Sequence, residues 1–296
     1  MAQTHTEQLV STQSEDGYLL EGALFTPADG GRQSPPVVWM HGFTGRFYEQ
    51  YIVTIARRLA ARGHVFVTGN NRGHHIGANI VNLRGGPNLR AGGWWENFSD
   101  CQFDFSAWVE FAVDLGFPRV VLAGHSLGAL KAVTYMAESQ DPRVRALVSA
   151  SGPMRVMRRQ QQDPERVALA RRMVADGRGE DLLPYDGTPF STSAQTLIWR
   201  TQANLDVYGL EREDPPIGRV RCPVLFILGS QEPEIGTADD LPTLTRNAAS
   251  ASSVETLYVE GADHVYTDRA EVVADGLAAW LARLPSAESA TPARER

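Results

Sequence analysis

Apolar and polar positions alternate between two textures along the chain. Short apolar runs bounded by Gly, Pro or charged residues recur, among them PVVWMH at 36–41, VVLA at 120–123, ALVSAS at 146–151 and VLFILG at 224–229. Runs of this length with such borders predict buried strands. Between them, residues 48–62, 98–115, the stretch from Leu127, and 270–284 place apolar side chains at helical spacing. Strands are also expected at 64–69, 119–123 and 253–260. At the start, 7–14 and 18–26 flank Glu15-Asp16-Gly17 and predict a β-hairpin. Short apolar strands alternating with helices require crossover connections. The expected fold is α/β, a mostly parallel central sheet of about eight strands covered by helices on both faces.

Two segments break that rhythm. Residues 70–95 are rich in Gly, Asn and Arg without periodicity, and connections of that length tend to carry function. Residues 152–221 separate two predicted strands and hold a helix with clear punctuation: Asp163 as N-cap, Pro164 in the first turn, Gly177 past the end. A second helix is expected over 193–208, carrying Leu197, Ile198 and Trp199. The organisation expected is a core of 1–151 and 222–284, a small helical cap at 152–221, and a disordered tail at 285–296.

Composition narrows the function classes. The chain has 296 residues, 43% of them hydrophobic and 21% charged, with a formal charge of −7. An acidic balance disfavours nucleic acid and anionic membrane surfaces, which reward a concentrated basic face. No apolar run approaches a membrane span, and the N-terminus lacks the blocks of a secretory signal, so a cytoplasmic protein is expected. Cys101 and Cys222 give no disulfide framework and are expected as free thiols. Lys131 is the one lysine among 28 basic residues.

Chemistry concentrates at Gly124-His125-Ser126-Leu127-Gly128, between a predicted strand and a predicted helix. Two glycines permit the tight turn that lifts a serine Oγ clear of a sheet, and the helix start offers the Leu127 N–H to a developing oxyanion. A nucleophilic serine needs a base, and the base needs an orienting carboxylate. His264 follows the last strand and precedes the last helix, at the sheet edge where ligands bind. Glu232 stands three residues after Gly229, with Glu234, Asp239 and Asp240 as rivals. Asp263, adjacent to His264, is poorly placed to face the same ring. His74 and His75 are neighbours with no third ligand at metal spacing, so neither a metal nor a cofactor is expected.

Taken together, "VVWMHGFTG", "GHSLGA", "PVLFILGSQE" and "GADH" resemble the oxyanion loop, nucleophile elbow, acid strand and histidine loop of the α/β-hydrolase fold family. The resemblance implies a triad in the order Ser126, Glu232, His264, with glutamate where aspartate is more usual. It also implies an oxyanion hole from the Phe43 and Leu127 N–H groups, with Thr44 as an alternative donor. Thr44, His125, Trp94, Trp95 and Trp199 are candidates for substrate contact, and Arg158, Arg159, Arg171 and Arg172 form a basic face on the insertion. A looser likeness to a branch containing siderophore-ester and other esterases tilts the expectation towards esters and lactones. The implied activity is cofactor-free hydrolysis of a small acyl substrate through an acyl-enzyme. The same triad serves C–C and thioester hydrolases, and cyclases or acyltransferases that exclude water.

Overall fold

The computed structural model describes residues 4–31, 34–155, 163–187 and 191–284. The predicted tail and Arg158 and Arg159 lie outside the described residues. Eight strands form one sheet in the order β1-β2-β4-β3-β7-β8-β9-β10. They are β1 His5–Gln13, β2 Leu19–Pro27, β3 Val37–Met40, β4 Phe66–Gly69, β7 Val120–His125, β8 Val144–Ala150, β9 Val224–Gly229 and β10 Val254–Val259. β1 and β2 pair antiparallel, as does β2 with β4, and every other neighbour is parallel.

Alternation along the central strands explains why these runs are apolar throughout. Val38, Met40, Leu122, Leu147, Phe226 and Leu228 point into one cluster with side chains of α2 (Cys101–Asp114) and α3 (Leu127–Ser139). Val37, Trp39, Val121, Val148, Leu225 and Ile227 point the other way, onto α1 (Gln50–Ala60) and the last helix, α7 (Ala270–Leu281). A strand buried on both faces has no position for a polar residue to reach water. Strands β3, β7, β8, β9 and β10 run parallel, so the segments after them gather at one sheet edge. There lie residues 41–45, 126, 151, 230–232 and 260–264.

Three features depart from the expected layout. Within 70–95, β5 (Ala78–Ile80) and β6 (Leu89–Ala91) make an antiparallel pair, tied to the first hairpin by Leu19 N–H to Val81 O and Leu83 N–H to Gly17 O. Three-residue strands leave no readable period. The helix expected over 193–208 is α5, Ala194–Gln202; the Asp206 carboxylate accepts N–H groups of Leu210, Glu211 and Arg212 and sets a turn instead. A short helix, α6 (Leu241–Asn247), follows β9.

The segment between β8 and β9 has its own apolar cluster. Val167, Ala170 and Met173 of α4 (Pro164–Ala175) meet Leu183, Ala194 and Leu197. The Asp163 carboxylate accepts the Glu165 and Arg166 N–H groups, and Gly177 takes φ +74° beyond the end, as the punctuation requires. Leu205, Val207, Tyr208, Ile217 and Val220 belong to the main cluster, so the end of this segment packs with the body of the protein. Among the described residues no helix is long and apolar enough to cross a membrane.

Candidate active site

Ser126 occupies the turn between β7 and α3 with φ 56° and ψ −129°. A non-glycine residue there is strained by about 1–2 kcal/mol, and the turn is held from outside. The Ser126 N–H donates to Ala150 O at 2.9 Å, and its carbonyl accepts the Ala129 N–H at 2.8 Å. The flanking glycines are needed for close approach. A Cβ on Gly124 would lie 2.1 Å from Gly128 O, and one on Gly128 would lie 2.4 Å from His41 O. Leu127 is the first residue of α3, so its N–H points out of the helix without an intrahelical partner.

His264 comes from the loop after β10 and Glu232 from the loop after β9. His264 Nε2 lies 2.9 Å from Ser126 Oγ, and Nδ1 lies 2.8 Å from Glu232 Oε2. The tautomer that satisfies both contacts carries its proton on Nδ1 and leaves Nε2 to accept the Ser126 hydroxyl. Glu232 is buried, and its other oxygen accepts the Gly229 N–H and the Ser151 hydroxyl, each at 2.6 Å. Tyr266 donates in turn to Ser151 Oγ at 2.8 Å. Burial, with the Glu232 charge nearby, pushes the Tyr266 phenol well above its usual range, so it stays a donor. Neither Ser151 nor Tyr266 stood out in the sequence, since their role exists only once β8 and the histidine loop meet.

The rival acids are elsewhere. Glu234 and Asp239 are exposed, Asp240 pairs with Arg155, and Asp263 Oδ1 accepts the N–H groups of Val265 and Thr267 within its own loop.

Residues 37–276 match the alpha/beta hydrolase family. The chain belongs to that family. Solved structures share the fold of this hydrolase at low identity. Est1E from Butyrivibrio proteoclasticus, with ferulic acid bound, is 18% identical with a TM-score of 0.65, covering 93% of this chain and 99% of its own. An esterase domain from a Rhodothermus marinus protein is 20% identical with a TM-score of 0.59, over 93% and 97%. The hypothetical protein PA2218 from Pseudomonas aeruginosa is 18% identical with a TM-score of 0.67, over 96% and 95%. Among curated proteins none matches the sequence.

The turn after β3 is the neighbour of Ser126 on its other side. A Cβ on Gly42 would lie 2.6 Å from Ser126 Cβ, so the 42–45 turn passes directly beside the serine. Phe43 and Thr44 follow, half-buried, with Thr44 at φ 55°.

His125, a candidate for substrate contact, turns inward. It is buried, its Nδ1 accepts the Tyr51 hydroxyl at 2.9 Å, and its Nε2–H donates to His264 O at 2.7 Å. Both ring nitrogens are engaged within the protein, and the bond to His264 O ties the ring to the loop that carries His264. Burial, aided by the neighbouring His264, holds its pKa well below the usual histidine range.

The tryptophans divide. Trp95 donates its indole N–H to Glu180 O at 2.9 Å and lies under the Arg90 guanidinium, which itself pairs with Glu180. The ring is thus a strut between the 70–95 segment and the insertion. Trp94 is half-buried beside it, its carbonyl accepting the Ser193 N–H at 2.8 Å. Trp95 and Trp199 line a cavity of about 360 Å³ with Tyr18 and Arg90, and none of Ser126, Glu232 and His264 lines it. A larger recess, about 680 Å³, lies between the N-terminal parts of α1 and α7 and likewise excludes the three. Arg171 and Arg172 are exposed on α4.

Cys101 and Cys222 are unpaired by disulfide. Among the described residues no three His, Cys, Asp or Glu side chains form a group able to hold a metal ion. Three further charged residues, Glu96, Lys131 and Arg200, are fully buried. No sequence pattern pointed to them, because they lie far apart along the chain.

Proposed function

We propose that this hydrolase cleaves a carboxylic ester or lactone, with Ser126 as nucleophile, His264 as general base and acid, and Glu232 as the orienting carboxylate. The observation that carries the reading is the unbroken line from Ser126 Oγ through His264 to Glu232, at 2.9 and 2.8 Å. His264 Nε2 takes the Ser126 proton as Oγ attacks the acyl carbon, and Glu232 stabilises the imidazolium that forms. The Phe43 and Leu127 N–H groups receive the oxyanion. His264 then protonates the leaving alkoxide, and the acyl-enzyme is cleared by water with His264 again as base.

Residues 163–202 act as a cap in this reading, and 203–221 belong to the body. The docking of the insertion on Gly93 and Trp94 supports that division, because the same segment packs against the 42–45 turn. Likeness to Est1E and to the Rhodothermus esterase domain leans the substrate towards esters. The test is turnover of p-nitrophenyl esters and lactones of graded length by the wild type and by Ser126→Ala. Saturable release by the wild type, lower by at least about 10³-fold in the variant, is the expected result. Equal turnover by both proteins would overturn the assignment.

A further inference from the structure

Lys131 on α3 is fully buried, and its ammonium donates to Glu96 Oε2 at 2.5 Å and to Asn71 Oδ1 at 2.9 Å. Asn71 then holds His41 twice, through its own N–H to His41 Nε2 at 3.2 Å and through Nδ2 to His41 O at 3.1 Å. His41 Nδ1–H donates to Gly42 O at 2.8 Å. Burial, with Lys131 adding to it, keeps the His41 pKa well below its usual range, so the ring stays neutral with its proton on Nδ1. The Gly42 carbonyl and the Phe43 N–H belong to one planar peptide unit and point in opposite directions. Fixing the carbonyl therefore aims the N–H.

The far end of this chain of contacts is in the insertion. Arg200 of α5 is fully buried, with Nη2 3.5 Å from Glu96 Oε1 and 3.2 Å from Gly93 O. Its guanidinium also lies over the Phe43 ring, 5.0 Å from the centroid. Gly93 is pressed on the same turn, since a Cβ there would come 2.7 Å from Thr44 Cγ2 and 3.0 Å from Phe43 Cε2.

We propose that Arg200, Glu96 and Lys131 are positioning residues that transmit the seating of the cap to the Gly42–Phe43 peptide and favour the oxyanion over the neutral substrate. The inference rests on the reading of Ser126 as the nucleophile and Phe43 as an oxyanion donor. A network with that role lowers the energy of the charged tetrahedral state and leaves ground-state binding nearly alone.

The test compares wild type, Arg200→Met and Arg200→Lys for kcat and KM on a p-nitrophenyl ester, and for the Ki of an alkylboronic acid that forms an anionic tetrahedral adduct. Arg200→Met should lower kcat about 10- to 100-fold with KM within about threefold, and raise the boronate Ki by a similar factor as kcat falls. Arg200→Lys, keeping the charge but not the planar fork, should recover part of both losses. A loss confined to KM, or kcat and Ki within about twofold of wild type in Arg200→Met, would overturn the proposal. Should Arg200→Met fail to fold, Arg200→Lys decides alone: a kcat about threefold lower or more with matching Ki supports it, and wild-type values refute it. A wild type that neither turns over the ester nor binds the boronate removes the reading of Ser126, and this proposal falls with it.

Discussion

Glu232 accepts hydrogen bonds from Gly229, Ser151 and His264, and that crowding of donors on a buried carboxylate is what separates it from its neighbours. Glu232→Gln should lower kcat by about 10²–10⁴-fold, while Glu234→Gln stays within about twofold of wild type; steady-state kinetics on one ester checks both. His41 and His125 give a second, independent test. Both are held below their usual range by burial, so as pH falls the unfolded chain takes up protons before the folded one. The stability they carry is present above the unfolded pKa of about 6.5 and is lost as pH falls from there towards the folded values, at up to about 1.4 kcal/mol per pH unit for each ring. Urea unfolding between neutral and mildly acidic pH should show that slope, and His125→Gln should remove about half of this histidine contribution. An identical slope in the variant would contradict it. At this scale the sequence put Ser126, His264 and Glu232 forward as candidates from motif positions at strand ends, and the fold brings them within hydrogen-bond distance of one another. The sequence did not show that His125, inside the same motif, turns inward, because that depends on Tyr51 from a distant helix.

The elbow works as an element because β7, α3 and the turn after β3 approach within backbone contact. Gly124→Ala would press its Cβ against Gly128 O, and neither group is the end of a flexible side chain. The expected result is a kcat/KM lower by about tenfold or more together with a melting temperature lower by several degrees, roughly what a 1–3 kcal/mol overpacking cost implies. Wild-type values for both would mean that the turn relaxes without consequence. Elements with long apolar runs or firm caps were legible: β3, β7, β9, and α4 with Asp163 and Gly177 all lie where the pattern put them. The β5–β6 hairpin was not, since three residues per strand give no period and its fixing bonds come from the first hairpin. The second insertion helix ended early for a local reason, the competing turn around Asp206.

Across the whole molecule, the main sheet and the insertion bury their apolar residues in separate clusters. Leu197 lies at the centre of the smaller one, fully buried against α4. Leu197→Ala should cost the insertion about 2–4 kcal/mol and raise amide hydrogen exchange over 164–202, leaving the protection of β7 and β8 unchanged. Equal loosening of the sheet would show one cooperative unit instead. The alternation of strand and helix made the parallel sheet readable from sequence, but the coupling of cap to turn through Arg200, Glu96 and Lys131 has no sequence signature. Three charged residues distant along the chain become one group only in the folded protein. The most direct test of the central claim, an activated serine at the elbow, is intact-protein mass spectrometry after fluorophosphonate treatment of the wild type and of a folded Ser126→Ala. The account predicts one adduct on the wild type and none on the variant. An adduct of equal yield on both proteins, or none on a wild type that also fails to turn over small activated esters, would contradict it.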